Sequence, residues 1–373
     1  MVRFRFLAEI TCAAAVAAGA CHADPISIVQ SLALSGPLSS YGEAKRAGAA
    51  AYIDQVNRQG GVNGRLIKVT VMDDGYDPKR TVANLKSMVS EQRPSAILGL
   101  FGVPTIAAAL PIIEELRIPT VGLTTGSIAL RVPSKRYIFP VRASYADEAT
   151  SLMRHLKLLN LTAVTLIQQD NAFGSLVRDA FVSAAQQNGI KVSQVMLRAD
   201  ASDAVTVTKT ALAQGGDAVF LSMLSGAAIP TIRSIRSQAK SAIPLYAISA
   251  TDASILIRDL GVLAAGLIVS QVVPAQDSSK YRISMDYTKS LAANAGGAPS
   301  FYGLEAFIEA KILVEALKLA GDAVGDPEAV TRALERLVDY DVGGLNIRFS
   351  KDAHQGASFV DLMMIGSKGT VIR

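Results

Sequence analysis

Three short stretches of this 373-residue chain carry the residue types that could hold a small polar molecule. They are Ser35-Gly36-Pro37-Leu38-Ser39-Ser40-Tyr41-Gly42, Gly99-Leu100-Phe101-Gly102-Val103-Pro104-Thr105 and Gly122-Leu123-Thr124-Thr125-Gly126-Ser127. Each runs into a helix or turn, so backbone N–H groups and small hydroxyls can converge there on a carboxylate. The competing reading is that they are ordinary turns and helix caps, since Gly, Ser and Thr favour both. Three such loops together make a binding site the better expectation, with Tyr41, Gly102, Val103, Thr105, Thr124, Thr125, Gly126 and Ser127 as candidates.

Catalysis has little to work with. His155 follows Arg154 in a helical stretch, and His354 sits in the turn Lys351-Asp352-Ala353-His354-Gln355-Gly356. Neither has the partners a general base needs nearby in sequence. No G-x-S-x-G, H-E-x-x-H, Walker or G-x-G-x-x-G motif occurs. Asp73-Asp74 and Glu114-Glu115 are adjacent pairs, and adjacent side chains on a strand or helix point apart. No catalytic residue, metal site or cofactor is expected.

The elements that must position the three loops alternate. Ile26–Leu34 reads as a strand, Glu43–Arg58 as a helix, Leu66–Met72 as a strand, and Asp77-Pro78 opens a helix with a cap and an N1 proline. Ala96–Leu100 and Ile118–Leu123 are strands flanking the helix Thr105–Leu116. The alternation restarts after Arg142: strands Ala163–Gln168, Lys191–Met196, Ala218–Met223, Pro244–Ile248 and Gly266–Val273 are separated by helices. Helices near Lys280–Asn294, Phe301–Leu319 and Pro327–Val338 follow, then strands Leu345–Phe349 and Ser358–Ile365. Repeated strand–helix units imply an α/β fold with parallel sheets, here two Rossmann-like lobes. In such sheets ligands bind beyond the carboxyl ends of the strands, where the three loops lie.

Half of the residues are hydrophobic, yet no run in the body reaches the roughly 18 apolar residues that span a bilayer. The first 23 residues differ. Arg3 and Arg5 precede a small, apolar run, and Ala20-Cys21-His22-Ala23 stands before Asp24-Pro25, the order of a secretory signal peptide. Cleavage is expected after Ala23; lipid attachment at Cys21 is the alternative. Export to the periplasm follows. Removing 1–23 takes away two of the 37 basic and one of the 32 acidic residues, lowering a formal charge of +5 by one. It also takes away both cysteines, Cys12 and Cys21, so thiol chemistry leaves with the leader. A mild positive balance without a basic cluster or a tryptophan makes nucleic acid an unexpected partner.

Along almost the whole mature chain the sequence resembles the leucine/isoleucine/valine-binding family of periplasmic receptors that serve ABC transporters. The resemblance rests on Leu34-Ser35-Gly36-Pro37 with Tyr41-Gly42, on Asn57 with Gly60-Gly61-Val62-Asn63-Gly64, and on Asp73-Asp74 with Asp77-Pro78. Arg117-Ile118-Pro119, Arg142, Asp170 through Phe173-Gly174, and Phe301-Tyr302 continue it in order. It implies a type I periplasmic-binding fold joined by a three-segment hinge, with lobe one at 24–142 plus 274–345 and lobe two at 143–273 plus 346–373. It also implies that Tyr41 covers the ligand and that Gly102–Thr105 and Thr124–Ser127 hold its carboxylate. By the same resemblance Phe173 is a lid, while Met223 to Ser225, Ser249 to Asp252 and Tyr302 complete the site. The partners implied are a small-molecule ligand and an inner-membrane ABC permease, with the receptor monomeric. A ligand sensor feeding a membrane signalling receptor would show the same site. Val103 replaces the family's usual hydroxyl, and no acidic equivalent stands at Ser249-Ala250-Thr251. A branched-chain amino acid, another carboxylic acid and an amide therefore all stay open.

Overall fold

A computed structural model describes residues 24–132, 135–294 and 297–372; the expected leader, with Cys21 and the expected cleavage after Ala23, lies outside them. The first part of the chain runs β1 (Ile26–Leu32), α1 (Ser39–Arg58), β2 (Ile67–Asp73), α2 (Pro78–Gln92), β3 (Ala96–Phe101), α3 (Val103–Leu116), β4 (Thr120–Thr124) and β5 (Ile138–Phe139). The second runs α4 (Tyr145–Leu158), β6 (Ala163–Gln169), α5 (Ala172–Gln187), β7 (Lys191–Leu197), α6 (Ala204–Ala213), β8 (Ala218–Ser222), α7 (Ser225–Gln238), β9 (Leu245–Ala247), α8 (Ala253–Leu260) and β10 (Leu267–Gln271). Last come α9 (Arg282–Ala293), α10 (Phe301–Ala320), α11 (Pro327–Leu334), β11 (Tyr340–Asp341), β12 (Asn346–Ser350), β13 (Ala353–Gly356), β14 (Asp361–Ile365) and β15 (Val371–Ile372).

Both lobes wind the same way. The first sheet has the order β2-β1-β3-β4-β5 and is parallel throughout. The second reads β7-β6-β8-β9-β10 from one edge, also parallel, then adds β14 and β15 antiparallel. Buried parallel strands need continuous apolar runs rather than alternation, and β3 and β8, Ala-Ile-Leu-Gly-Leu-Phe and Ala-Val-Phe-Leu-Ser, are buried along their whole length. In this strand order the switch points fall between β1 and β3 and between β6 and β8. A ligand crevice is expected beyond their carboxyl ends.

The long helix α10 anchors the first lobe. Fifteen of its 20 residues are buried, because α1 and α9 pack on it from one side and β3 and β4 from the other. Gly48 lets α1 approach α10: a Cβ there would lie 1.9 Å from the Gly303 carbonyl oxygen. The chain passes between the first sheet and the second at 140–144, 272–281 and 357–360.

One boundary needs correction. Strands β12 and β13 belong with the first lobe, not the second. They form a three-stranded sheet with β11, and Phe349 packs edge-on against Phe139 of β5 with centroids 5.2 Å apart. His354 stacks on the same ring at 4.1 Å and its Nδ1 donates to the Ile138 carbonyl. Only 357–372 continue into the second lobe. A pattern of short strands says nothing about which sheet will receive them, so the boundary at 345 had no local signal behind it.

Candidate functional site

The lobes meet over a small central cavity, and nearly everything around it sits where a strand ends or a helix begins. From the first lobe come Tyr76 beyond β2, Phe101 and Gly102 at the end of β3, Val103 opening α3, Thr124 ending β4, and Tyr302 in the first turn of α10. From the second come Phe173 in the first turn of α5, Leu224 before α7 and Ala250 beyond β9. Arg142 and Tyr145, in and next to the first hinge crossing, complete it. The crevice lies at both switch points. Gly102 is required by the approach of Tyr76: its φ is +94° and a Cβ would meet the Tyr76 ring at 2.2 Å.

Aromatic rings line the cavity. Tyr41 stacks on Phe101 at 5.2 Å and meets Tyr302 edge-on at 4.9 Å, and Tyr145 meets Phe173 edge-on at 5.9 Å. The remaining room is about 10 Å3, near the threshold for one water. The lobes already touch here, since the Tyr41 hydroxyl donates to Ser225 Oγ across the cleft at 2.8 Å.

Arg142 is the dominant charge. Its side chain is 1% exposed, with Glu305 of α10 at 3.6 Å on one side and Glu148 of α4 at 3.7 Å on the other. It donates to the Ser249 hydroxyl, but its Nε has no hydrogen-bond partner among the described residues, and neither has Glu148 Oε1. Burial pulls the guanidinium pKa down, and the two carboxylates outweigh it, so the group is held charged. Burial raises the Glu148 carboxyl against the pull of Arg142 and of its bonds from Ser249 N–H and Ser270 Oγ. A buried guanidinium offers five donors, and leaving one idle is costly. Together with helix N-termini converging from α3, α4, α5, α7 and α10, whose dipoles favour negative charge, an acceptor-rich anionic group suits the space. Among the described residues no cluster of His, Cys, Asp or Glu could hold a metal ion.

The sequence candidates divide. Gly102, Val103, Thr124, Phe173 and Tyr302 line the cavity. Tyr41 and Ser225 lie behind it as the interlobe bond. Thr105 is spent on its own helix, its hydroxyl donating back to the Phe101 and Gly102 carbonyls. Met223 is fully buried and lends only its carbonyl, to Thr251 Oγ1. Ser249 braces Arg142 and Glu148. Thr125 accepts from Ser127 N–H at 3.3 Å, and Gly126 and Ser127 border a different, outer groove. Asp252 caps α8, accepting from Ser254 N–H at 2.7 Å. Leu224 and Ala250, inside the two lobe-two ranges, also line it, and Tyr76, Phe101, Arg142 and Tyr145 are lining residues that the sequence candidates omit. For Arg142 and Tyr145 the available signal was their place in a chain segment that crosses between lobes.

Comparison with known proteins places this geometry. Residues 25–370 match the family described as periplasmic binding protein. An amino acid binding protein of Pseudomonas aeruginosa is 26% identical over 215 residues, 56% of each chain, so the match spans about half that relative's length. A Leu/Ile/Val-binding protein of Rhizobium johnstonii is 25% identical over 84% of each chain. Among solved structures, a substrate-binding periplasmic protein from Ralstonia solanacearum superposes with a TM-score of 0.85 at 28% identity, covering 93% of this chain and 99% of that one. A possible leucine/isoleucine/valine-binding protein from Rhodopirellula baltica gives 0.87 at 25% identity, covering 94% and 96%. These relatives are named for what they bind, not for a reaction, and this chain belongs to the periplasmic binding protein family, with the type I fold.

Proposed function

We propose that the protein is the solute-binding component of an ABC importer, exported to the periplasm, where it acts as a monomer and captures a small carboxylate-bearing ligand by hinge closure. The observation that carries this reading is the cavity at the joint of two like-wound lobes, lined from both, with buried Arg142, whose Nε is unpartnered among the described residues, in its wall. A ligand carboxylate supplies the missing acceptor, and the N-terminus of α3 at Gly102–Val103 adds a favourable field. Admission requires the lobes to part, breaking the Tyr41–Ser225 bond; closure then excludes water and strengthens each remaining hydrogen bond. The closed surface is what a permease would recognise. Among the described residues no helix is long and apolar enough to cross a membrane.

Small-angle scattering with a thermal-shift screen of amino acids, organic acids and amides tests this. Saturation should compact the molecule, and a ligand at about 100 times its Kd should stabilise it by roughly 2.7 kcal/mol. Unchanged dimensions at saturation would rule out hinge closure.

A further inference from the structure

The central cavity is too small for even a short amino acid side chain as it stands, with about 10 Å3 of room. A second and much larger space lies beside it, on the other side of Tyr145. This groove of about 370 Å3 is in the size range of small-molecule sites. It too is built from both lobes: Gly126 to Ala129 of the first form one wall, α4 and α5 of the second the other. On α5, Leu176, Ala180 and Ala184 recur at helical spacing and face it, so the space is carved by small side chains and is mainly apolar. Ile128 on the opposite wall is 65% exposed. Tyr145 lines both spaces and is held by the loop it separates them with: its N–H donates to the Gly126 carbonyl at 2.9 Å, and a Cβ on Gly126 would strike its ring at 2.4 Å.

From these features we infer that the ligand is an amphipathic carboxylic acid, its head against Arg142 in the central cavity and its apolar arm running past Tyr145 into the groove between Ile128 and α5. The inference rests on the receptor reading above and adds the class of ligand. The head has an idle donor to meet in Arg142 Nε, and the groove that shares Tyr145 with the cavity can take apolar bulk; hinge closure would assemble both at the same time. An arm buried there would gain hydrophobic free energy in proportion to its area and would cover Ile128.

Calorimetry with butanoate, leucine and 4-phenylbutanoate, which differ in what lies beyond the head, decides it. The phenyl-bearing acid should bind at least tenfold tighter than butanoate or leucine. Ala180→Phe, which fills the groove, should erase that advantage, bringing the phenyl-bearing acid down to the affinity of butanoate for the same variant; Ser183→Phe, at an exposed position on the same wall, should do likewise and serves if the first variant misfolds. Equal or tighter binding of butanoate or leucine overturns the arm while the receptor reading stands. An advantage that survives groove filling in a folded variant also overturns it. Failure of all three acids to bind overturns the amphipathic-acid ligand, whereas the receptor reading falls only if the wider screen of amino acids, organic acids and amides also finds no ligand.

Discussion

Two buried cations of this protein are treated in opposite ways. Lys45, on α1 inside the first lobe, is fully enclosed and gives Glu309 of α10 two hydrogen bonds, at 2.9 and 2.8 Å. Gly99 and Gly122 make room for that pair: a Cβ on Gly122 would lie 2.2 Å from the Glu309 carboxyl carbon. Arg142 is just as deeply buried, yet its carboxylate neighbours stand off at 3.6 and 3.7 Å and its Nε is idle. Glu305 links the two, 3.9 Å from Lys45 and 3.6 Å from Arg142. A charge whose partners are complete serves the lobe that holds it. A charge with an open donor, at the joint between lobes, is the one that the proposed ligand carboxylate would complete.

That contrast can be broken most forcefully at Lys45. Lys45→Met should cost about 3–5 kcal/mol of stability, the scale for stranding one member of a buried pair. The double variant Lys45→Met/Glu309→Leu should recover most of it, because an apolar pair of similar volume avoids the desolvation penalty. Urea midpoints measure both; a mild single-variant effect would show that the pair is not a stabilising unit of the lobe. Arg142→Lys comes next, and its effect should fall on the ligand. It keeps the charge but loses the planar fork, so a carboxylate identified by screening should bind about 1.5–3 kcal/mol more weakly, the range for hydrogen bonds to charged groups, with a smaller change in urea midpoint than Lys45→Met produces. Unaltered affinity would remove Arg142 from the site.

Asp252 supplies the smallest expected effect and sharpens the distinction. It is 5% exposed near the cleft, and burial raises its carboxyl pKa against the backbone N–H bonds at the start of α8. As a helix cap it is internally satisfied, like Lys45. Asp252→Asn should therefore shift binding and stability by less than about 1 kcal/mol, since Asn caps as well as Asp. A hundredfold loss of affinity, read by calorimetry, would instead make Asp252 the receptor for a ligand ammonium and restore an amino acid as the leading candidate.

Much of the architecture was legible in the residues. Apolar runs of buried-strand length between helical stretches gave the α/β pattern. Element ends were close where chemistry marked them: Asp77-Pro78 opens α2, and its carboxylate accepts from Lys79 and Arg80 N–H. They slipped where it did not, so that α1 begins at Ser39 rather than Glu43, and the two-residue β5 left no pattern to read. At the site, loop position singled out Gly102, Val103 and Thr124, because strand ends face the crevice in any sheet of this winding, whereas Phe173 and Tyr302 came only from the family resemblance.

What the tertiary structure alone decided is which of those groups remain available. Thr105 and Thr124 look alike in sequence, but one hydroxyl is folded back onto its own helix while the other reaches across to Glu305 of α10 at 3.3 Å, and only Thr124 lines the cavity. Arg142 matters through Glu305, 163 positions away, and Glu148, six away, and β12–β13 join the first lobe through contacts with Phe139 and Ile138. Local propensity and hydrophobic period are properties of neighbours along the chain. Hydrogen-bond satisfaction and burial of charge are set by residues far apart in sequence, and only their meeting in space determines them.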